Sequence, residues 1–243
     1  MRSSRSARAE ALGRLPFAHR GLHGEGRVEN SRAAFQAAIA TGHGIELDVQ
    51  LSADGAAMVF HDARLERLTG ETGAVLDLWS QALGQIRLKG TDETIPALPE
   101  ILALIGGRVP LLIEVKAPRR KVAALCRAVA AALDRYDGPV GIMSFNPSVG
   151  HWFSGNRPDV LRGLVVTEEG KKGLRGRIER TLSLWRSHAD FLAYDIRDLP
   201  SAFASLARSR GMPVFTWTVR NARAAEAAEI YADQIIYERP VRP

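Results

Sequence analysis

The chain has 243 residues, of which 46% are hydrophobic, 25% charged and 7% aromatic, a composition typical of a globular protein. Its formal net charge of +6 favours anionic ligands, but no basic run with interleaved aromatic residues occurs, and we expect no nucleic-acid partner. No apolar run approaches the ~20 residues that span a bilayer, and no secretory-type apolar stretch follows the N-terminal arginines, so we expect a cytoplasmic protein without stable membrane insertion.

The N-terminal segment differs in composition from the rest. Residues 1–14 carry Arg2, Arg5, Arg8 and Arg14, which predicts a basic, mobile arm. No Pro/Ser linker, repeat or low-complexity tract divides residues 15–243, which predicts a single domain. The lone cysteine, Cys126, falls at an apolar position of a helical pattern and is predicted to be a packed core thiol.

Short apolar runs alternate with helical patterns along the chain. The eight predicted strands cover 15–19, 44–50, 110–116, 140–145, 161–167, 191–196, 213–219 and 234–238. The helical patterns cover 29–41, 97–105, 119–136, 147–155, 172–187, 200–210 and 221–231. Eight βα units in this length predict a closed TIM (βα)₈ barrel, and an open doubly wound sheet is the alternative.

One apolar run interrupts the alternation. Residues 56–62 follow the second strand too closely for a helical crossover, so they are predicted to pair with it antiparallel around the turn at 52–55. Helical periodicity resumes only near residue 97. We therefore predict a small insertion, about residues 52–96, between the second and third barrel strands.

Acidic residues stand at the ends of two predicted strands. Glu46 and Asp48 are two residues apart and lie on one side of a strand, and Glu114 ends the next barrel strand. Active sites of such barrels lie at these carboxyl ends, where three converging acids would repel one another without a cation. An oxygen-only ligand set predicts one hard divalent cation, Mg²⁺ or Ca²⁺, and a structural network with arginines is the alternative.

Histidines and cations occur beside these acids. His19 and His61 would serve as general acid and base near neutral pH, and Arg20 and Lys116 would hold a phosphate. Glu29 precedes the first helical pattern, and either faces a ligand or belongs to the capping segment that Asn30 or Ser31 would provide.

These elements resemble a known family. The chain contains, in order, AHRG, ENS, IELDVQLSADG, VFHD, LERLTG, IPALPEIL, LLIEVK and FTWTV, a series similar to that of the glycerophosphodiester phosphodiesterases. The resemblance implies a TIM barrel with an insertion after the second strand. It also implies divalent-metal-dependent cleavage of small glycerophosphodiesters into sn-glycerol 3-phosphate and an alcohol.

The resemblance also implies a role for each matched residue. It assigns Glu46, Asp48 and Glu114 to the metal and His19 and His61 to acid–base catalysis. It implies substrate contacts from the remaining matched positions: Arg20 and Lys116 on the phosphate, Trp217 on the glycerol, and Glu29 facing the site.

The C-terminal strand departs from the family. Members usually end it with IITD.P, whereas this chain has QIIYERP, with Tyr237 and Glu238. This departure leaves the metal and histidine chemistry intact but leaves the leaving alcohol open. The sequence also does not decide between Mg²⁺ and Ca²⁺, the order in which the histidines act, or the oligomeric state. The alternatives are a lysophospholipase D or phospholipase-type enzyme acting on lipids, and a barrel that binds a phosphodiester without cleaving it.

Overall fold

The computed structural model describes residues 4–24, 26–117 and 122–238. Within them the strands are β1 Phe17–His19, β2 Gly44–Leu51, β3 Ala57–Val59, β4 Leu111–Val115, β5 Val140–Ser144, β6 Leu161–Val166, β7 Phe191–Asp195, β8 Val214–Val219 and β9 Gln234–Tyr237. The α-helices are α1 Ser4–Leu12, α2 Arg32–Ala40, α3 Ser80–Leu83, α4 Leu98–Ile105, α5 Ala123–Leu133, α6 Pro147–Asn156, α7 Leu174–Ser187, α8 Ala202–Ser209 and α9 Ala222–Tyr231. Short 3₁₀ turns cover Val75–Asp77 and Ile196–Asp198.

Eight of the strands form a closed parallel barrel. Each pairs with the next in the order β1, β2, β4, β5, β6, β7, β8, β9, and β9 pairs with β1 through Phe17 and Ile236. The closing pair excludes the open sheet, and the predicted TIM barrel is confirmed. All eight predicted strands are present within about two residues of their expected ends.

The barrel is filled from inside by large aromatic residues. Phe17, Phe191 and Phe215 are fully or almost fully buried and stack with ring centroids 4.9 to 5.8 Å apart. Gly163 makes room for them, because a Cβ there would lie 2.3 Å from the Phe191 ring. A second apolar layer, which includes Ile45, packs between the strands and the helices. Both faces of each strand are therefore buried, which explains the nearly continuous apolar runs in the sequence.

Residues 4–12 do not form the mobile arm predicted from the sequence. They form α1, whose Ala9 and Leu12 are buried against the Phe17 and Phe215 layer inside the barrel. Arg5 pairs with Asp190 at 3.1 Å, which ties α1 to the loop before β7. Burial of Ala9 and Leu12 holds the segment on the barrel. The surrounding arginines make this apolar pattern hard to recognise in the sequence. Residues 1–3 of the predicted arm lie outside the described residues.

The segment after β2 forms a small subcore on the barrel. β1 ends at His19, which pairs with Glu46, so the later residues of β2 have a free edge on that side. β3 pairs antiparallel with this edge, from Val49↔Val59 to Leu51↔Ala57, as predicted. The strand is shorter than the predicted 56–62. Side chains from the rest of the segment pack together around it: Met58, Phe60, Leu65, Val75, Leu83, Leu88 and Ile95.

Two helices show how individual residues of the chain are used. Ser31, not Asn30, is the N-cap of α2, since its hydroxyl accepts from the Ala34 amide at 3.2 Å.

Cys126 of α5 is buried in the outer core as predicted, and burial raises the pKa of its thiol to about 12. No helix among the described residues is long and apolar enough to cross a bilayer.

Candidate active site

The carboxyl ends of the barrel strands surround a cavity of about 370 Å³. Seven of the predicted site residues line it: His19, Arg20, Glu46, His61, Glu114, Lys116 and Trp217. Asp48 lies directly behind them and is fully buried. Glu29 is absent from the lining, so the structure does not give it the direct ligand contact expected from the sequence.

Strand register brings the three acids together. Residue pairing places His19 beside Glu46 across β1 and β2, and Asp48 beside Glu114 across β2 and β4. Because alternate residues of a strand face the same side, Glu46 and Asp48 both point toward Glu114. One carboxylate oxygen from each lies within 4.8 Å of the others.

Glu46, Asp48 and Glu114 are here called the acid cluster. Two cations, Arg20 and Lys116, neutralise its charge only in part. Lys116 Nζ lies 3.0 Å from Asp48 and 2.6 Å from Glu114, and Arg20 Nε lies 3.2 Å from Asp48. Although burial opposes ionisation, Lys116 and Arg20 hold the pKa of Asp48 far below its ordinary value. Asp48 is therefore the ionised centre of the cluster.

Glu46 has the opposite environment. Burial, with repulsion from Asp48 and Glu114, raises its pKa well above the ordinary value. Its Oε2 accepts the Arg20 amide at 3.0 Å, whereas Oε1 is fully buried without a hydrogen-bond partner. An unpartnered buried carboxylate oxygen costs free energy unless a cation or donor joins it.

The acid cluster fits a hard divalent cation. Its donors are all carboxylate oxygens and they converge. Two of these oxygens, Glu46 Oε1 and Asp48 Oδ1, are buried without a hydrogen bond, and only Asp48 Oδ1 has an ion-pair partner, Lys116. His19, His23 and Glu238 form a second convergent group, but it contains one carboxylate and shares His19 with the cavity. The cluster of three acids is therefore the stronger candidate for a metal site.

His19 is held by a residue that the sequence reasoning did not assign. Its Nδ1 hydrogen-bonds Glu238 Oε1 at 2.7 Å, and Glu238 is in turn held by Arg220 at 2.7 and 2.9 Å. Burial lowers the pKa of His19, and the Glu238 contact opposes that shift. His19 Nε2 lies 3.9 Å from Glu46, beyond hydrogen-bond distance.

His61 is held in the same way. Its Nδ1 hydrogen-bonds Asp62 Oδ1 at 2.6 Å, and Asp62 also pairs with Arg67. Burial lowers the pKa of His61, against the opposing effect of Asp48. Both histidines thus have a carboxylate on Nδ1, which fixes the ring and leaves Nε2 for a ligand.

Glu29 connects the two halves of the site. It accepts from Arg20 at 2.7 Å and from Arg67 at 2.7 and 3.1 Å, and these contacts lower its pKa despite burial. An ion-pair chain therefore runs from Asp62 through Arg67 and Glu29 to Arg20. Glu29 orients Arg20 rather than facing the cavity.

The turn after β1 shapes this part of the site. Arg20, Gly21 and Asn30 have φ values of 56°, 78° and 57°, in the left-handed region. Gly21 is required, because a Cβ there would lie 2.9 Å from the Ala34 backbone. Asn30 Nδ2 donates to Asp48 at 3.0 Å. From the sequence, Asn30 is only a candidate helix cap, and this contact is not predicted.

An aromatic wall closes another side of the cavity. Trp217 Nε1 donates to the Ala193 carbonyl at 2.9 Å, and Phe145 packs edge-on against its ring at 5.6 Å. Tyr194, whose role the sequence left unassigned, is fully buried and bonds Glu168 and Ser201. It contributes to the core and not to the wall.

Glu238, Asn30 and the Asp62–Arg67 pair were missed by reasoning from the sequence. Glu238 lies 219 residues from His19 along the chain, and only barrel closure makes the two neighbours. A closed barrel of eight strands places the last strand beside the first. The predicted barrel therefore already implied that a residue at the end of the last strand would lie near His19.

The chain matches known proteins over most of its length. Residues 19–242 match the model of the glycerophosphoryl diester phosphodiesterase family. A Bacillus altitudinis glycerophosphodiester phosphodiesterase is 40% identical over 107 residues, which span 41% of this chain and 43% of that protein. The Bacillus subtilis protein YhdW is 27% identical over 234 residues, which span 92% of this chain and 94% of that protein.

A solved structure matches the whole fold. A phosphodiesterase of Oleispira antarctica, in complex with the product sn-glycerol-3-phosphate, superposes with a TM-score of 0.82 at 25% identity. The match covers 93% of this chain and 94% of that one.

Proposed function

Because the chain belongs to the glycerophosphoryl diester phosphodiesterase family, we propose that it hydrolyses small glycerophosphodiesters to sn-glycerol 3-phosphate and an alcohol. Membership of the family makes it a phosphoric diester hydrolase. The product bound to the Oleispira antarctica phosphodiesterase supports the substrate class.

One arrangement carries the proposal. Two carboxylate-held histidines, two cations and a cluster of three acids meet at one cavity at the carboxyl ends of the strands. A binding protein would need cations for the phosphate, but it would not need two histidines with free Nε2 atoms. This set of groups therefore favours catalysis over binding alone.

The charges of the site suit a phosphodiester when a cation is present. Three carboxylates face Arg20 and Lys116, which leaves one uncompensated negative charge when all are ionised. A divalent cation held by Glu46, Asp48 and Glu114, either Mg²⁺ or Ca²⁺, would reverse that sign and offset charge as phosphorus becomes five-coordinate. Arg20 and Lys116 would then contact phosphate oxygens.

The histidines would move the protons. Burial lowers the pKa of His19 and of His61, which favours the neutral imidazole that a general base needs. One histidine, neutral at Nε2, takes the proton of the nucleophile. The other, protonated at Nε2 as an imidazolium, gives that proton to the leaving alkoxide. Glu238 and Asp62 stabilise whichever imidazolium forms.

The nucleophile that fits this pair is the glycerol 2-hydroxyl. Its attack on phosphorus gives a cyclic phosphate, which water then opens, and direct attack by water is the competing route. Phosphorus NMR of rapid-quench samples separates the two routes. A transient cyclic phosphate supports attack by the hydroxyl, and its absence during turnover supports attack by water.

Trp217 and Phe145 would contact the apolar face of the glycerol carbons. Phe145 remains 47% exposed at the cavity mouth, so it would meet the alcohol as that group leaves. Glu29 would act on the substrate only through Arg20, which it holds in place.

A substrate comparison tests the proposal. The protein is given glycerophosphocholine and, separately, lysophosphatidylcholine, with Mg²⁺ or Ca²⁺, and the phosphate product is identified by mass. We expect glycerol 3-phosphate from glycerophosphocholine as the faster reaction. Faster release of lysophosphatidic acid from lysophosphatidylcholine would identify a lysophospholipase D instead, and binding without turnover of either would indicate the non-catalytic barrel.

A further inference from the structure

Helix α7 presents its apolar side to solvent. Leu174, Ile178, Leu182 and Trp185 are 71%, 52%, 60% and 77% exposed. Their spacing of four, four and three residues places them on one face, here called the α7 stripe. In the other described α-helices, large exposed apolar residues occur singly, as with Leu206 on α8 and Ile230 on α9.

The opposite face of α7 is the one packed on the barrel. Its buried residues are Gly176, Arg180 and Ser187, two small side chains and one cation. Arg180 pairs with Glu168 at 3.2 Å, and a Cβ on Gly150 of α6 would lie 2.3 Å from the Ser187 carbonyl, so the contact is close. The polarity of the helix is therefore inverted relative to an ordinary barrel helix, and the stripe serves no internal packing.

Cations border the stripe on both sides. Arg175 and Arg186 lie along one edge and Arg177 along the other, and Lys171 and Lys172 precede the helix, all of them exposed. Glu179 is the one acid within α7, and it pairs with Lys171 at 2.6 Å. An apolar helix face bordered by cations is the pattern of helices that lie in the plane of an anionic lipid surface.

A second copy of the chain suits this face poorly. Stripe-to-stripe packing would bring the bordering arginines of one copy against those of the other. A helix of 14 residues is about 21 Å long and about 10 Å wide, so its projected face is on the order of 200 Å². A stable interface buries about 800 Å² on each partner.

The position of α7 relates the stripe to the active site. A second cavity, of about 600 Å³, is lined by Lys116 and Phe145 at one end and by Lys171, Glu179 and Ser183 at the other. The amino-terminal end of α7 therefore adjoins the mouth of the catalytic cavity. We propose that the α7 stripe docks the protein reversibly on an anionic phospholipid surface, with the mouth of the barrel beside the lipid headgroups.

Vesicle sedimentation tests this proposal. The full-length protein is mixed with vesicles of phosphatidylcholine alone, or with about 30% phosphatidylglycerol, at 0.1 M and 0.5 M NaCl. We expect binding to the anionic vesicles at low salt, weakened at high salt, where the Debye length falls from about 10 Å to under half that. Absence of binding to anionic vesicles at 0.1 M NaCl would overturn the proposal.

Variants locate the contact. Leu182→Glu removes one apolar side chain that the lipid would bury and adds a negative charge that anionic vesicles repel. Partitioning of the protein onto the vesicles should therefore fall about tenfold or more. Ile230→Glu, on the helix that carries Glu226 and Glu229, is the matched control and should bind as the wild type does. Equal loss in both variants, or in neither, would contradict a contact through α7. Far-ultraviolet circular dichroism and thermal melting check that both variants fold.

Two further readouts separate the possible occupants. Trp185 fluorescence should shift to shorter wavelength with anionic vesicles, and Trp185→Phe should abolish that shift. Arg175→Gln and Arg186→Gln should each weaken binding about fivefold. A dimer in sedimentation equilibrium that Leu182→Glu dissociates, together with no vesicle binding, would assign the stripe to self-association and overturn the proposal.

Discussion

Glu46 and Asp48 are two residues apart on β2, yet their surroundings differ. Asp48 accepts a hydrogen bond from Asn30 at 3.0 Å and forms ion pairs with Arg20 at 3.2 Å and Lys116 at 3.0 Å, whereas Glu46 Oε1 has no hydrogen-bond partner. From the sequence, substitution of either residue is expected to cost little stability, because it relieves repulsion between acids. The structure supports that expectation for Glu46 and opposes it for Asp48.

We therefore predict different outcomes for Glu46→Gln and Asp48→Ala. Glu46→Gln removes a repelled charge and keeps the acceptor for the Arg20 amide, so its free energy of unfolding in EDTA should stay within about 1 kcal/mol of the wild type. Asp48→Ala removes the carboxylate that Arg20 and Lys116 share and leaves the Asn30 amide without its acceptor, so it should cost about 3 kcal/mol. Both should lose metal-dependent hydrolysis. Denaturant unfolding in EDTA measures the difference, and equal losses of stability would contradict this account of the acid cluster.

Glu238 is a positioning residue for His19. Glu238→Gln keeps the size of the side chain but removes the charge that stabilises the His19 imidazolium, so we predict a fall in kcat of about 10- to 100-fold. KM should change little, since Glu238 does not line the catalytic cavity. The limb of the pH profile that reports His19 should move to lower pH, because the Glu238 contact raises the pKa of His19.

Glu168→Gln provides the control for that measurement. Glu168 is also a hydrogen-bonded carboxylate in this barrel, but it contacts Tyr194 and Ser201 and no histidine. If its substitution lowered kcat as much as Glu238→Gln does, the effect would be structural and the positioning role would be wrong.

At the scale of elements, α1 is the clearest departure from the sequence-based expectation. Leu12 is 2% exposed and packs beneath the aromatic layer of the barrel. Leu12→Ala should therefore destabilise the protein by about 2–4 kcal/mol. Leu15→Ala, at a position that is 39% exposed, should change stability by about 0.5 kcal/mol or less. Thermal and denaturant melting would detect the difference, and a neutral Leu12→Ala would restore the mobile-arm interpretation.

The barrel strands were predictable because each is buried on both faces. Runs such as LLIEV at 111–115 and VFTWTV at 214–219 are apolar at nearly every position, and helical patterns of ordinary length separate them. The spacing of Glu46 and Asp48 predicted that both lie on one side of β2. The acid cluster and both histidines could thus be found without coordinates.

Other features depend on contacts that the sequence does not display. α1 buries mainly alanine and one leucine among arginines, so its apolar signal is weak. Asn30 stands where a helix cap is expected, and Ser31 provides that cap instead. The pairing of Glu29 with Arg67, 38 residues later, is also not visible from local spacing. Long-range partners of this kind are set by the folded barrel and not by local spacing.

At the scale of the whole molecule, barrel closure assembles the site. β1 supplies His19, β2 and β4 supply the acid cluster, and β9 is followed directly by Glu238, which holds His19 from the far end of the chain. Part of the positive net charge of the chain lies on α7, which carries four arginines and one acid. The molecule thus combines an acid cluster inside the barrel mouth with a basic helix on its outer face.

Metal-dependent turnover tests the central claim most directly. Protein stripped with EDTA is given glycerophosphocholine, and release of glycerol 3-phosphate is followed before and after addition of Mg²⁺ or Ca²⁺, with Glu46→Gln measured in parallel. We expect no release after stripping, recovery with at least one of the two ions, and no recovery in Glu46→Gln at the same ion concentration. Full activity in EDTA, or no release by the folded protein with either ion, would contradict that claim.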